Sequence, residues 1–126
     1  MATLTALREA LAGVVATVTA KPAFAYLHER PTPPVSLISP ANPYVVGDEG
    51  GNAFNEYRVN FRIDLIAPMA PNKTKTNTLD TMLGTLLAAL ASQSWLIGNV
   101  SAPYGLTAGT AEYLAVTVDV STYNRF

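Results

Sequence analysis

The chain has 126 residues, a length that fits one domain, residues 1–126, with a two-layer core that needs no metal or disulfide for support. Lysine and arginine number 8 against 9 for aspartate and glutamate, and this formal charge of −1 argues against tight binding to nucleic acid or to an anionic membrane. The sequence has no cysteine, which excludes disulfides, thiolate catalysis and cysteine-held metals. Charged residues make up only 13%, so we expect part of the surface to be covered in an assembly.

The first segment, residues 1–18, predicts a helix rather than a targeting signal. Arg8 and Glu9 interrupt it and no basic region precedes its apolar residues, so it fits neither a signal peptide nor a membrane span. Thr3 is the expected N-cap of a helix that ends near Val18, before Lys21 and Pro22. The apolar positions recur every three or four residues: Leu4, Leu7, Leu11, Val14, Val15 and Val18.

Two short strands are predicted next, at residues 23–27 and 35–39, with a proline-rich corner between them. Residues 40–56 are rich in Pro, Asn, Gly and Asp, which predicts a long loop; a β-hairpin arm is the alternative. Loops of this length in compact domains are generally functional or disordered. Four apolar residues of this segment are expected to dock on another surface: Tyr44, Val45, Val46 and Phe54.

Residues 57–66 alternate large apolar side chains with polar ones, which is typical of a strand with one buried face. The side predicted to be buried comprises Tyr57, Val59, Phe61, Ile63 and Leu65. The side predicted to be wet or to contact a partner comprises Arg58, Asn60, Arg62 and Asp64.

A second helix is predicted to begin at Asn72 or at Asn77 and to end near Ala91. Its apolar stripe has a clean helical period: Leu79, Met82, Leu83, Leu86, Leu87 and Leu90. Gly84 lies inside this helix at a cost of roughly 1 kcal/mol relative to alanine, so we expect it to admit a close neighbour.

The remaining segments predict a strand at residues 95–101, a loop at 102–110 and a strand at 111–122. In the last strand, one side is predicted to be buried and carries Leu114, Val116, Val118 and Val120. The element order predicts an α+β fold: a mainly antiparallel sheet of about five strands, with two helices packed on one face and the second face polar.

Few residues in the sequence offer catalytic chemistry. His28 is the only histidine and is expected to be an ordinary surface or edge residue, and the adjacent Asp48 and Glu49 are expected in a solvated turn. Asp64 and Asp119 are expected on neighbouring strands, where cross-strand pairing is the simpler interpretation and cation binding the alternative. We therefore predict no catalytic, cofactor or metal site and no enzyme activity, with a small enzyme that uses these two aspartates as a distant alternative.

Six segments, in this order and spacing, carry a resemblance that covers the whole chain: MATLTALREAL (1–11), ERPTPP (29–34), PANPY (40–44), YRVNFRI (57–63), SAPYGL (101–106) and EYLAVTV (112–118). The chain resembles the tail terminator proteins of phages with long, non-contractile tails, especially those of actinobacterial hosts. The second helix departs from the family pattern, because it is rich in threonine where acidic and alanine-rich sequence is expected.

The resemblance implies a ring-forming subunit, commonly a hexamer, that caps the growing tail tube, ends its polymerisation and presents a surface to the head-side connector. It implies a place at the head-proximal end of the virion tail, assembly in the host cytoplasm, no membrane partner, and DNA that passes through the ring without specific binding. The alternatives are a head-closure or other head–tail connector protein of the neck, or a minor tail protein.

The pattern of residues, rather than the family, predicts which residues form the interfaces. A ring built from identical contacts needs two different patches on each subunit. The loop at 42–56 and the polar side of the sheet are the expected patches, with aromatic anchors in the loop and charges that set register on the sheet. The predicted interface residues are Tyr44, Val46, Asp48, Glu49, Phe54, Arg58, Arg62, Asp64 and Asp119.

Overall fold

The computed structural model describes residues 3–19, 23–25, 35–47, 56–67, 72–93, 95–108 and 111–125. Two helices and six strands lie in this part of the chain, and the fold is α+β with a mostly antiparallel sheet. In chain order they are α1 (Leu4–Thr19), β1 (Ala23–Phe24), β2 (Val35–Val46), β3 (Glu56–Ile66), α2 (Asn72–Ser92), β4 (Leu96–Val100), β5 (Tyr104–Ala108) and β6 (Ala111–Arg125).

Both helices follow the predicted periodicity. Thr3 caps α1, because its hydroxyl oxygen accepts a hydrogen bond of 3.1 Å from the backbone N–H of Ala6. Helix α2 begins at Asn72, the earlier of the two predicted starts. Its fully or nearly buried residues are Leu79, Met82, Leu86 and Leu90, with Leu83 and Leu87 half-buried beside them.

The sheet has the order β1-β2-β3-β6-β4, and β5 pairs with β6 as well. Strand β1 is parallel to β2 over two residues, and the other pairings are antiparallel. The sixth strand is β5, which lies in the segment predicted as a loop. Proline and glycine there predict a break, but the pairing of residues 104–108 with 111–115 supplies the backbone hydrogen bonds of a strand.

One sheet face packs against the helices, and we call it the helix-side face. Val59, Phe61, Ile63 and Leu65 of β3 lie there in one cluster with the buried residues of α1 and α2, as the alternation predicts. Tyr57 belongs to the same face, but it is 36% exposed, so the prediction that it is buried is wrong. It lies beyond Val59, the last residue of β3 at this end that reaches the core cluster.

The opposite face, which we call the open face, carries the even-numbered residues of β3 and the odd-numbered residues of β6. It was predicted to be polar throughout, and at one end this is wrong. A second buried cluster lies there, made of Val35, Leu37, Ile66 and Ala115. Phe24, Tyr104 and Tyr113 pack against it, and β5 supplies Tyr104 directly opposite Ala115.

Strand β2 is longer than predicted. The loop predicted at 40–56 is wrong for residues 40–46, which belong to β2, and the hairpin alternative agrees with the pairing of Val45 with Val59 and of Val46 with Arg58. Between Pro40 and Val45 the pairing is irregular, and the peptide bond between Asn42 and Pro43 is cis. Residues 48–55, like 26–34, lie outside the described residues.

Candidate functional site

The open face presents rows of residues that lie opposite one another across β2, β3 and β6. Ser39, Arg62 and Asp119 form one row, and Leu37, Asp64 and Thr117 form the next. Arg58 lies opposite Val46 on one side and Tyr123 on the other. The four charged residues predicted for the polar side, Arg58, Arg62, Asp64 and Asp119, therefore share one face, and their role in an interface stays a prediction.

Asp64 is the centre of a hydrogen-bonded cluster. Its Oδ1 accepts a bond of 2.8 Å from the hydroxyl of Thr117, a longer contact of 3.4 Å from the hydroxyl of Tyr104, and an ion pair of 3.4 Å from Nε of Arg62. The Tyr104 and Thr117 hydroxyls share a bond of 2.9 Å. The Asp64 side chain is only 18% exposed. These hydrogen bonds connect β3, β6 and β5 at the edge of the second buried cluster.

Asp64 and Asp119 lie on neighbouring strands, as predicted, but they are not directly opposite each other. Asp64 faces Thr117, whereas Asp119 faces Arg62, the residue that forms the ion pair with Asp64. Opposite charges across a sheet favour pairing and fix the register of the strands. This geometry fits charge pairing better than a shared catalytic proton.

The connection between β4 and β5 is fixed to β6 by Ser101. The Ser101 hydroxyl accepts a bond of 3.0 Å from the Thr117 N–H, and the Ser101 N–H donates one of 2.9 Å to the Thr117 carbonyl. The same threonine therefore bonds Asp64 through its side chain and Ser101 through its backbone. Thr117 therefore links Asp64 on the open face to Ser101 in the connection between β4 and β5.

A groove of about 530 Å³ crosses the open face next to this cluster. Polar side chains form its floor: Arg58, Asn60, Arg62, Asp119 and Ser121. The irregular segment of β2 at residues 40–42 forms one wall and Gly98 of β4 lines the other side. Nδ2 of Asn60 donates a bond of 3.0 Å to the carbonyl of Pro43, which holds the β2 wall in place. The groove floor offers hydrogen-bond donors and acceptors, so the groove can bind polar groups.

Tyr44, which the sequence predicts to be an interface anchor, packs partly against the chain's own core, and its role in an interface stays a prediction. Its ring packs edge-on against Phe61, with centroids 5.8 Å apart at 73°, and its hydroxyl accepts a bond of 3.4 Å from Nη1 of Arg8. Tyr44 is half-buried against the chain's own core. Val46 is half-buried and opposite Arg58, while Asp48, Glu49 and Phe54 lie outside the described residues.

Sequence reasoning missed the exposed apolar residues at the other end of the open face. Leu96 is 50% exposed and lies opposite Ser121, and Tyr123, two residues further along β6, is 41% exposed. The last strand was predicted to end near Thr122, but β6 continues to Arg125. Thr122 and Asn124 occupy positions at which the alternation of β6 places apolar residues, so the pattern reverses at Tyr123 and gave no signal for an exposed apolar side chain there.

No protein-family model and no curated protein matches this chain. Within the described residues, no helix has both the length and the apolar character needed to cross a membrane.

Proposed function

We propose that this chain is the tail terminator subunit of a phage with a long, non-contractile tail. Six copies, the number common in the family that the sequence resembles, form a ring that caps the tail tube and ends its polymerisation. The ring then presents a surface to the head-side connector.

The observation that carries the proposal is the open sheet face. One face of the sheet packs against α1 and α2, whereas the other carries the groove and a row of paired charges, with exposed apolar residues beside them. Arginine and tyrosine on such a face are typical of protein interfaces, where they contribute much of the binding energy. A charge-poor chain with this face is suited to contact other proteins over a wide area.

The charge pattern supports a lumen through which DNA passes without specific binding. On the open face Arg62 is balanced by Asp64, with which it forms an ion pair, and by Asp119, which it faces. Binding to DNA requires an excess of lysine and arginine that neutralises several phosphates. The formal charge of the whole chain is −1, so a ring of these subunits has no such excess.

Electron microscopy of phage that lack this chain separates a terminator from the other neck proteins. Without a terminator the tube protein continues to polymerise, so we expect overlong tubes that carry no heads. Tails of normal length that fail to join heads would contradict the proposal and indicate a connector instead. Complementation with the wild-type chain is the control that assigns the effect to this protein.

A further inference from the structure

Strand β2 contains a bulge beside the groove. Its regular pairing with β3 stops at Pro40 and resumes at Val45, and the single β3 residue between their partners is Asn60. Four residues of β2, 41–44, therefore stand against one residue of β3, and we call these four residues the bulge. Extra residues on one strand of an antiparallel pair bend that strand and redirect its side chains. The first two residues of the bulge also belong to the wall of the groove.

The bulge reverses the alternation of β2. Before it, Ile38 lies opposite Ile63 on the helix-side face, and after it, Val45 lies opposite Val59 on the same face. An even-numbered residue and an odd-numbered residue of one strand thus face the helices, which a regular strand does not allow. The conformation of the bulge therefore decides which side chains of this part of β2 lie beside the groove.

On the open face, Asn60 fastens the bulge. Its Nδ2 donates a hydrogen bond of 3.0 Å to the carbonyl oxygen of Pro43. Asn60 itself lies on the groove floor, so this bond joins the floor of the groove to its wall.

On the helix-side face, the next residue, Tyr44, fastens the bulge. Its ring packs edge-on against Phe61, and its hydroxyl accepts a hydrogen bond of 3.4 Å from Nη1 of Arg8 in α1. The Arg8 side chain is half-buried and its Nε is shielded from water, so the guanidinium group lies between α1 and β2 rather than in solvent. Because Pro43 and Tyr44 are consecutive, the bulge is held from both faces of the sheet at neighbouring residues.

We propose that Tyr44 and Arg8 are positioning residues of the groove: they hold the bulge from the helix-side face and thereby set the shape of the wall on the open face. Neither belongs to the groove lining that the described residues form, so each acts through the backbone of the bulge. This inference rests on the proposed function, because it takes the groove as a contact with a neighbouring protein. It gives Tyr44 an indirect role in that contact, through packing inside its own chain.

Nuclear magnetic resonance of the free chain tests the positioning role without any partner. Tyr44→Phe keeps the packed ring and removes the bond to Arg8, and Arg8→Met keeps an unbranched apolar stem and removes the same bond. We expect both to shift the backbone amide resonances of residues 41–42 and the side-chain amide resonances of Asn60, across the sheet. Glu9→Gln, at an exposed position of α1, is the matched control and should shift none of them. Shifts confined to the helix-side face would overturn the inference.

Capping of tubes of the tail tube protein tests what the positioned wall does. Tyr44→Phe should raise the concentration of chain that is needed to shorten the tubes several-fold, while the urea midpoint of unfolding stays at the wild-type value, because the ring remains packed. Arg8→Lys keeps a donor for the Tyr44 hydroxyl and should restore part of the capping that Arg8→Met loses.

The outcomes separate this inference from the proposed function. A loss of capping that only follows a lower unfolding midpoint would overturn the positioning role. Normal capping by variants whose wall resonances have shifted would also overturn it and leave the proposed function standing. A wild-type chain that caps no tubes would refute the proposed function, and the resonance shifts would still decide whether Tyr44 and Arg8 position the wall.

Discussion

At the scale of single residues, Thr117 is the polar side chain on which the open face most depends. Its hydroxyl bonds Asp64 at 2.8 Å and Tyr104 at 2.9 Å, and Asp64 is largely shielded from water. Removing the Thr117 hydroxyl leaves Oδ1 of Asp64 with only two longer contacts, from Arg62 and Tyr104, in a partly buried site, and hydrogen bonds to charged groups contribute more than the average one.

We therefore expect Thr117→Val to lower the free energy of unfolding by about 1–3 kcal/mol, as measured by urea denaturation. Ser36→Ala is the matched control, because the Ser36 hydroxyl is fully buried and has no hydrogen-bond partner among the described residues. Its removal should leave stability unchanged or raise it. Equal losses in the two variants would contradict the assigned role of Thr117.

Substitution of Arg62 should separate an effect on assembly from an effect on stability. Its side chain is 51% exposed and its ion pair with Asp64 is long, so Arg62→Ala should change the free energy of unfolding by less than about 1 kcal/mol. Arg62 also lines the groove, so the same substitution should reduce capping of tail tubes. Glu9→Ala, on the exposed side of α1, is the control that should alter neither quantity. Normal capping by Arg62→Ala would exclude the groove from the interfaces.

At the scale of elements, Gly84 of α2 was expected to lie against a close neighbour. The expected close neighbour is not there, because among the described residues no atom beyond the adjoining turns of α2 lies within 4 Å of a Cβ placed on Gly84. Gly84→Ala should therefore raise the free energy of unfolding by roughly 0.5–1 kcal/mol through the helix propensity of α2. Ala88→Gly, at another exposed position of α2, should lower it by a similar amount in thermal denaturation. A destabilising Gly84→Ala would indicate a contact on that face of the helix.

Elements with one buried face were predictable from sequence because burial imposes a period on them. The helical stripe of α2 and the alternation of Val59, Phe61 and Ile63 are examples. Two features were not predictable: the extension of β2 through Pro40 and Pro43, and strand β5, which contains Gly105. There, pairing with neighbouring strands outweighed the local preferences of these residues.

The site was predictable to the same extent and for the same reason. Alternation correctly placed Arg58, Arg62, Asp64 and Asp119 on one face. It identifies the side of a strand on which a residue lies but not where the covering helices stop, so it wrongly predicted Tyr57 as buried. Tyr44 lies in the irregular stretch of β2, where a loop was predicted and no period applies.

At the scale of the whole molecule, helices cover one face of the sheet and the other face is open and carries the groove, and we propose that this open face contacts neighbouring proteins. In the proposed ring, one contact repeated by rotation closes on itself, which would limit the growth of the ring. A closed ring on the end of a tube would leave no free site for another tube subunit.

The length of tubes polymerised from the tail tube protein, with and without this chain, tests the proposed function most directly. Electron microscopy of the products would give the length distribution, and light scattering would give the mass of the chain before and after mixing. We expect shorter tubes with a ring at one end, whether the free chain is already a ring or becomes one on the tube. Tubes of unchanged length, with the chain absent from their ends, would contradict the assignment as a tail terminator.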